Sequence, residues 1–211
     1  MSVGLSVKAM GLVAALVVGA SCQAATSQPG DVRGPQQVPV DGSNPFRTGH
    51  TLVIPHGGGD GLFPEDTMLA YDKTMAMGAD VVDVDLRLTA DHVLIAFHDP
   101  TTDRITGTHG LVADMTFDQL SHLDAGWSFV KAGSDSHPFR GAGVTIPTFE
   151  SLLDRFPRTL LSLDLKDESE NMVQPLCSLL VDHHKTNDVF VGSNNDAQIL
   201  SFRKQCPTVR T

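Results

Sequence analysis

Short apolar runs alternate with amphipathic stretches from Thr51 to the end of this 211-residue chain, and this alternation constrains the fold more than any other feature. Strands are predicted at 52–54, 81–86, 93–97, 160–165 and 189–191. Helices are predicted from Asp66-Thr67 to a stop at Gly78, and at 116–123, 148–156, 172–185 and 197–204. Strands that alternate with helices are typical of a parallel sheet with right-handed crossovers. The pattern therefore leaves two folds, a doubly wound sheet or a β/α barrel.

Composition and charge exclude several classes of protein. Apolar residues make up 41% of the chain, which is enough for one sizeable core. Fifteen Lys and Arg against 25 Asp and Glu give a net charge of −10, and no block of basic residues is present. Because phosphate contacts need clustered basic residues, we expect no nucleic-acid partner. No apolar run is long enough to span a bilayer comfortably.

The first 24 residues are typical of a signal peptide, with Lys8 as their single charge before an apolar run at 9–20. Two processing routes fit. Cleavage after Ala24 would release a secreted protein, whereas a signal of residues 1–21 would leave Cys22 lipidated and the protein attached to a membrane of the cell envelope. Residues 25–50 are rich in Pro, Gly, Gln and Ser and are predicted to be a linker. The globular domain is predicted at 51–211.

Export would place Cys177 and Cys206 in a compartment where a disulfide persists. The two cysteines fall on consecutive predicted helices. Both a disulfide and two separate buried thiols are compatible with that position.

Chemically active side chains lie at the ends of four predicted strands: His56, Asp83 with Asp85, His98, and Asp164 with Lys166. In each pair the two residues are two positions apart, so both side chains point to the same face of the strand. The carboxyl ends of the strands form the active site of a β/α barrel. Because buried carboxylates need a cation or hydrogen-bond donors, the pattern favours a functional site over structural salt bridges.

The donor types indicate a hard cation. Three carboxylates without a thiolate suit Mg²⁺ or Ca²⁺, whereas Zn²⁺ would more often recruit the histidines. Two histidines facing such a cation indicate general acid–base chemistry on an oxyanion substrate. Lys166 suits the charge of a phosphate.

An ordered set of short motifs resembles the glycerophosphodiester phosphodiesterase family. In chain order they are IPHGG (54–58), PEDT (64–67), GADVVDVD (78–85), LTAD (88–91), HD (98–99), DR (103–104), LDAG (123–126), IPT (146–148) and DLK (164–166). The resemblance implies a TIM-type β/α barrel that uses a divalent cation to hydrolyse glycerophosphodiesters to glycerol 3-phosphate and an alcohol. Such an enzyme would act in lipid metabolism on a small-molecule or lipid phosphodiester.

The resemblance also implies roles for individual residues. His56 and His98 would be the acid–base pair, and Asp83, Asp85 and Asp164 would hold the metal. Lys166 would contact phosphate, and Glu65 would support the site. We also expect Gly57 and Gly58 to let the substrate approach the backbone closely.

Three substitutions and the length depart from the family pattern. Gly57 stands where the family has an arginine, so a bidentate phosphate contact is lost, and Asp83 and Asp164 stand where it has glutamates. Sphingomyelinase D-type phospholipases also lack that arginine, which keeps a phospholipase D-like activity on lysophospholipids as an alternative.

The 161 residues from Thr51 onward are fewer than the roughly 250 of a TIM barrel. Five strands are predicted, with a sixth beginning at 207–210. We therefore expect an incomplete barrel with about five of eight βα units, and a non-catalytic truncated fragment or pseudoenzyme is the alternative of another class.

Overall fold

The computed structural model describes residues 44–167 and 169–211. The predicted signal segment, the candidate lipidation site at Cys22 and most of the predicted linker lie outside the described residues. Within the described ranges, no helix is both long enough and apolar enough to cross a membrane.

The described residues form one four-stranded sheet with helices packed against it. The strands are β1 (Val81–Leu88), β2 (Leu94–Ala96), β3 (Leu160–Leu165) and β4 (Val189–Ser193). Their order across the sheet is β2-β1-β3-β4, and β1, β3 and β4 run parallel. The helices are α1 (Met68–Ala76), α2 (Asp103–Thr106), α3 (Phe117–Ser121), α4 (Phe149–Arg155), α5 (Val173–Asp182) and α6 (Asp196–Gln205). Short 3₁₀ turns lie at His56–Gly58, Val112–Asp114 and Glu170–Met172.

Side-chain caps explain where three helices begin. Thr67 accepts a hydrogen bond from the Ala70 amide at the start of α1, as the predicted start at Asp66-Thr67 requires. Thr148 caps α4 in the same way. Thr116 forms a reciprocal capping box at α3, in which the Gln119 side chain also accepts from the Thr116 amide.

The predicted strand at 52–54 is wrong. The backbone of Val53 meets the start of β1, where its carbonyl accepts from the Asp80 amide, but no ladder continues from that contact. Pro55 follows directly and cannot donate to a ladder. The side chains of Val53 and Ile54 are about half exposed, so little apolar burial stabilises an extended strand here. The described sheet accordingly has four strands instead of the five predicted.

The strand predicted at 93–97 forms as β2, but its direction differs from the expected parallel sheet. It pairs antiparallel with β1, with Leu88 opposite Leu94. The reason is the length of the connection, because a parallel crossover needs a dozen residues or more and residues 89–93 allow only a hairpin. The Thr89 amide donates to the Val93 carbonyl, and His92 adopts a left-handed backbone with φ 62°.

The sheet has one apolar and one polar face because side chains alternate along each strand. Val82, Val84 and Leu86 of β1 join Leu161 and Leu163 of β3 in the main core, which the helices cover. The intervening positions of both strands carry the polar side chains. The inserted loop predicted at 126–145 is present, without helix or strand.

Two features complete the C-terminal part of the chain. Arg210 pairs in parallel with Phe190, so the strand predicted at 207–210 is reduced to a single bridge on the β4 edge. Cys177 of α5 and Cys206 after α6 form a disulfide, with their Cα atoms 5.8 Å apart. The structure thus decides between the two states of these cysteines that the sequence left open.

Candidate functional site

Two of the predicted metal ligands are neighbours across the parallel ladder. Asp85 of β1 and Asp164 of β3 are register partners. The Lys166 ammonium lies 2.6 Å from an oxygen of Asp164 and 3.2 Å from an oxygen of Asp85. The predicted carboxylates and the predicted phosphate-binding lysine therefore form one charged cluster at the carboxyl end of β3.

The electrostatics of this cluster follow from burial. Burial raises the pKa of Asp85, although the charge of Lys166 and its hydrogen bond act in the opposite direction. Burial opposes the charge on Lys166 as well, yet hydrogen bonding to Asp164 and the two carboxylate charges leave the pKa of Lys166 raised. Lys166 thus stays protonated at neutral pH and offsets the charge of both carboxylates.

Asp83, the third predicted ligand, contacts the segment that carries His56. An oxygen of Asp83 accepts from the Gly57 amide at 3.2 Å. The contact places the backbone next to His56 beside β1. The His56 ring is largely exposed, and its Nδ1 lies 3.3 Å from an oxygen of Asp60.

The two predicted glycines are required by backbone geometry. Gly57 and Gly58 have φ angles of 51° and 76°, in the left-handed region that favours glycine. A Cβ on Gly58 would lie 2.8 Å from the Tyr71 ring. Close packing against Tyr71 therefore accounts for Gly58, while close approach of a substrate to Gly57 stays a prediction.

His98 is held by a chain of charged side chains, of which Asp99 and Arg104 belong to the HD and DR motifs but had no predicted role. Its Nδ1 lies 2.8 Å from Oδ1 of Asp99. Arg104 donates to both oxygens of Asp99, through Nε at 2.6 Å and Nη2 at 2.9 Å. Arg104 also forms an ion pair with Glu65, the residue predicted to support the site. The signal for this chain was the position of Asp99 directly after His98.

Arg87 is a third residue near the site to which the sequence assigned no role. Its side chain is buried, its Nε donates to the His98 carbonyl at 2.9 Å, and its Nη1 lies 2.7 Å from Asp167. Asp167 in turn accepts from the Leu88 amide. The signal was present, because Arg87 has the same parity on β1 as Asp83 and Asp85 and so lies on the polar face.

Asp66 accepts a hydrogen bond from the backbone amide of Asp85. It is buried in a left-handed backbone conformation with φ 52°, and one carboxyl oxygen accepts from the Tyr71 hydroxyl at 2.7 Å and the Asp85 amide at 3.3 Å. Burial and the nearby charge of Asp85 raise the pKa of Asp66 well above its ordinary value. This contact ties the start of α1 to the strand that carries two predicted ligands.

The donor set fits a hard divalent cation by its chemistry, since Asp83, Asp85 and Asp164 offer only carboxylate oxygens. In the part of the chain that the structure describes, however, no three His, Cys, Asp or Glu side chains converge closely enough to hold a metal ion. Lys166 supplies the positive charge between Asp85 and Asp164. The assignment of these three residues as metal ligands therefore stays a prediction.

Comparison with known proteins identifies relatives for most of the described chain. Residues 56–208 match the glycerophosphoryl diester phosphodiesterase family. The glycerophosphodiester phosphodiesterase of Bacillus subtilis is 31% identical over 169 residues, which cover 76% of this chain and 58% of that protein. The human lysophospholipase D GDPD3 is 27% identical over 152 residues, which cover 72% of this chain and 46% of that protein.

A solved structure agrees with the fold. The Oleispira antarctica phosphodiesterase OLEI02445, in complex with the product sn-glycerol-3-phosphate, matches with a TM-score of 0.65 and 25% identity. The match covers 75% of this chain and 64% of that one. The present sheet and its helices are an incomplete TIM-type β/α barrel, as the sequence predicted.

The chain spans 58% of the length of the Bacillus relative. The family match covers most of the described residues and includes every residue of the predicted site, from His56 to Lys166. The chain therefore belongs to the glycerophosphoryl diester phosphodiesterase family.

Proposed function

We propose that this protein is an exported, divalent-cation-dependent phosphodiesterase of lipid metabolism. It would hydrolyse glycerophosphodiesters to glycerol 3-phosphate and an alcohol. The observation that supports this most is the register pairing of Asp85 with Asp164 around Lys166, inside the region that matches the family. The glycerol 3-phosphate bound to the Oleispira relative indicates the same class of product.

In the proposed reaction, Asp83, Asp85 and Asp164 would hold Mg²⁺ or Ca²⁺, and the cation would supply positive charge for the phosphate oxygens. Lys166 adds a second positive charge at the same edge of the sheet. Because Gly57 replaces the family arginine, this ammonium takes a larger share of phosphate binding. A lysine contacts phosphate as a point charge and lacks the bidentate geometry of arginine.

His56 and His98 transfer the protons. One removes a proton from the nucleophile, which is water or a neighbouring hydroxyl of the substrate. The other donates a proton to the departing alkoxide, so the alcohol leaves neutral. If the neighbouring hydroxyl attacks, a cyclic phosphate forms first, and water then opens it with the roles of the histidines reversed.

A phospholipase D-like activity on lysophospholipids is the second candidate. The human relative named lysophospholipase D supports it, as does the glycine at position 57. The same carboxylates and histidines would act, but the phosphate that remains would carry an acylglycerol. The two functions therefore differ in the group that is retained with the phosphate.

The test is an assay of products with the purified protein and Mg²⁺ or Ca²⁺. Glycerophosphocholine and lysophosphatidylcholine are supplied separately, and glycerol 3-phosphate, lysophosphatidate and choline are quantified. The proposal predicts glycerol 3-phosphate from the first substrate and loss of that product with EDTA. Release of lysophosphatidate from lysophosphatidylcholine, with no product from glycerophosphocholine, would favour the phospholipase D-like activity. A folded, monomeric protein that turns over neither substrate would support the non-catalytic alternative.

A further inference from the structure

The His98 ring has one nitrogen bound to a carboxylate that is itself clamped by an arginine. His98 Nδ1 lies 2.8 Å from Asp99 Oδ1, and Arg104 reaches both oxygens of Asp99. When one ring nitrogen donates to a carboxylate, the other becomes the acceptor and is available for proton transfer. The tautomer of His98 therefore depends on where Asp99 lies.

We propose that Arg104 is a positioning residue that holds Asp99 against His98 Nδ1, so that His98 Nε2 carries out the proton transfer. The catalytic part of this inference rests on the proposed function. Arg104 touches neither ring nitrogen of His98. Its guanidinium acts through Asp99, whose two oxygens it binds in a fork geometry that fixes the carboxylate plane.

The charges around Asp99 keep its carboxyl group deprotonated, as is required for a hydrogen bond from His98 Nδ1. Hydrogen bonds from Arg104 and from His98 lower the pKa of Asp99. Asp99 is thus an anion throughout the neutral range and accepts a hydrogen bond from the Nδ1–H group. An aspartate that stayed neutral could instead donate to Nδ1 and select the opposite tautomer.

Glu65 extends this series of charged side chains to the segment that follows His56. It lies on the segment that follows His56, and it pairs with the same guanidinium that clamps Asp99. Arg104 therefore joins the segment of one predicted catalytic histidine to the side chain that orients the other. Loss of Arg104 would release both connections, whereas loss of Glu65 would release only one.

The protein contains a matched control for the His98–Asp99 contact and another for Arg104. His109 and Asp103 form an exposed His–Asp pair with a 2.6 Å contact, close in sequence to His98 and Asp99. Arg155 forms an ion pair with Asp72 at 2.8 Å and has an exposed fraction of 57%, close to the 51% of Arg104. Asp103→Asn and Arg155→Gln thus each remove a comparable ion pair that includes none of His98, Asp99 and Arg104.

The experiment measures the tautomer of His98 directly, by long-range ¹H–¹⁵N NMR of the full chain labelled with ¹⁵N-histidine at pH 8. A His98→Gln variant assigns the resonances. The inference predicts a protonated Nδ1 and an unprotonated Nε2 in the wild type. In Arg104→Gln we expect a measurable population of the other tautomer, with partial return in Arg104→Lys and no change in Arg155→Gln or Asp103→Asn. Asp99→Asn, which tests the same contact if Arg104→Gln does not fold, should shift the tautomer further.

Kinetics supplies the second readout. On glycerophosphocholine, Arg104→Gln should lower kcat about 10- to 100-fold with little change in KM, the size of effect seen when a hydrogen-bond partner that orients a metal-bound histidine is lost. Wild-type nitrogen shifts in both Arg104→Gln and Asp99→Asn would overturn the positioning role, whatever the activity. Correct tautomers in an inactive wild-type protein would instead overturn the proposed function and leave the positioning role standing.

Discussion

Asp85 and Asp164 are register partners on adjacent parallel strands, and both carboxylates lie within 3.2 Å of the Lys166 ammonium. Adjacent anions repel each other, and the repulsion grows as solvent is excluded. Lys166 is therefore both a structural counter-charge and a candidate phosphate ligand. A divalent cation bound by the same carboxylates would take over part of the first role.

Replacement of Lys166 by Met tests this double role. We expect the free energy of unfolding to fall by about 3 kcal/mol at pH 7, because removal of one partner leaves the buried carboxylate of Asp85 without its counter-charge. Mg²⁺ or Ca²⁺ at millimolar concentration should restore more stability in the variant than in the wild type, through binding to the native state. Urea denaturation with and without the cation measures both effects. Lys204→Met, on the exposed side of α6, is the control, and equal losses in the two variants would contradict the account.

The predicted ligands can be tested without catalysis. The double substitution Asp83→Asn and Asp85→Asn should abolish calorimetric binding of Mg²⁺ or Ca²⁺ and leave the protein folded, because asparagine keeps the shape of aspartate, retains one acceptor oxygen and relieves the repulsion between carboxylates. Asp118→Asn, on the exposed α3, should bind as the wild type does. Unchanged cation affinity in the double variant would remove Asp83 and Asp85 from the site.

The buried Lys185 makes the free energy of unfolding depend on pH, in a direction that follows from its lowered pKa. Burial lowers the pKa of Lys185 to about 8, although the charge of Asp188 opposes this, and its ammonium donates to the Thr159 carbonyl. Between about pH 8 and the ordinary value of 10.5 the unfolded chain binds more protons than the folded protein. The free energy of unfolding therefore rises with pH in this window.

The measurement compares wild type with Lys185→Met by urea denaturation from pH 7 to pH 10. The free energy of unfolding of the wild type, minus that of Lys185→Met, should increase by about 2–3 kcal/mol as the pH rises through this window. Other titrating groups cancel in the difference. A difference that stays constant with pH would show that Lys185 has an ordinary pKa.

The disulfide between Cys177 and Cys206 ties α5 to the end of α6 across a separation of 29 residues. A loop of this length is expected to contribute about 3–4 kcal/mol by restricting the unfolded chain. A reductant should therefore lower the thermal midpoint of the wild type and leave that of Cys177→Ala with Cys206→Ala unchanged. Equal midpoints for oxidised and reduced wild type would mean that the thiols are separate.

The sequence predicted which side chains of β1 and β3 lie together, but it predicted the number and direction of the strands less well. Parity along β1 and β3 was enough to place Asp85 and Asp164 together, because side-chain alternation is a local property of a strand. The family motifs named His56, His98 and Lys166. Helix starts at Thr67 and Thr148 followed from capping residues, which are equally local.

The predictions that were wrong concern properties that depend on a neighbouring segment of the fold. Whether 52–54 forms a strand depends on a partner that supplies hydrogen bonds, and the apolar run alone cannot report that partner. The direction of β2 follows from the short connection at 89–93, which the alternation of strands and helices does not reflect. The Arg104–Asp99 clamp joins α2 to the loop after β2, and its consequence for His98 is visible only when the distances are known.

The measurement that tests the central claim most directly is ³¹P NMR of glycerophosphocholine incubated with the purified protein and Mg²⁺ or Ca²⁺. The account predicts that the substrate resonance is replaced by that of glycerol 3-phosphate. His56→Ala and His98→Ala should each slow this conversion about 10²- to 10⁴-fold, the usual effect of a positioned acid or base, and should bind the cation as the wild type does. A substrate resonance that persists with the folded wild-type protein, or histidine variants that convert it at the wild-type rate, would contradict the account.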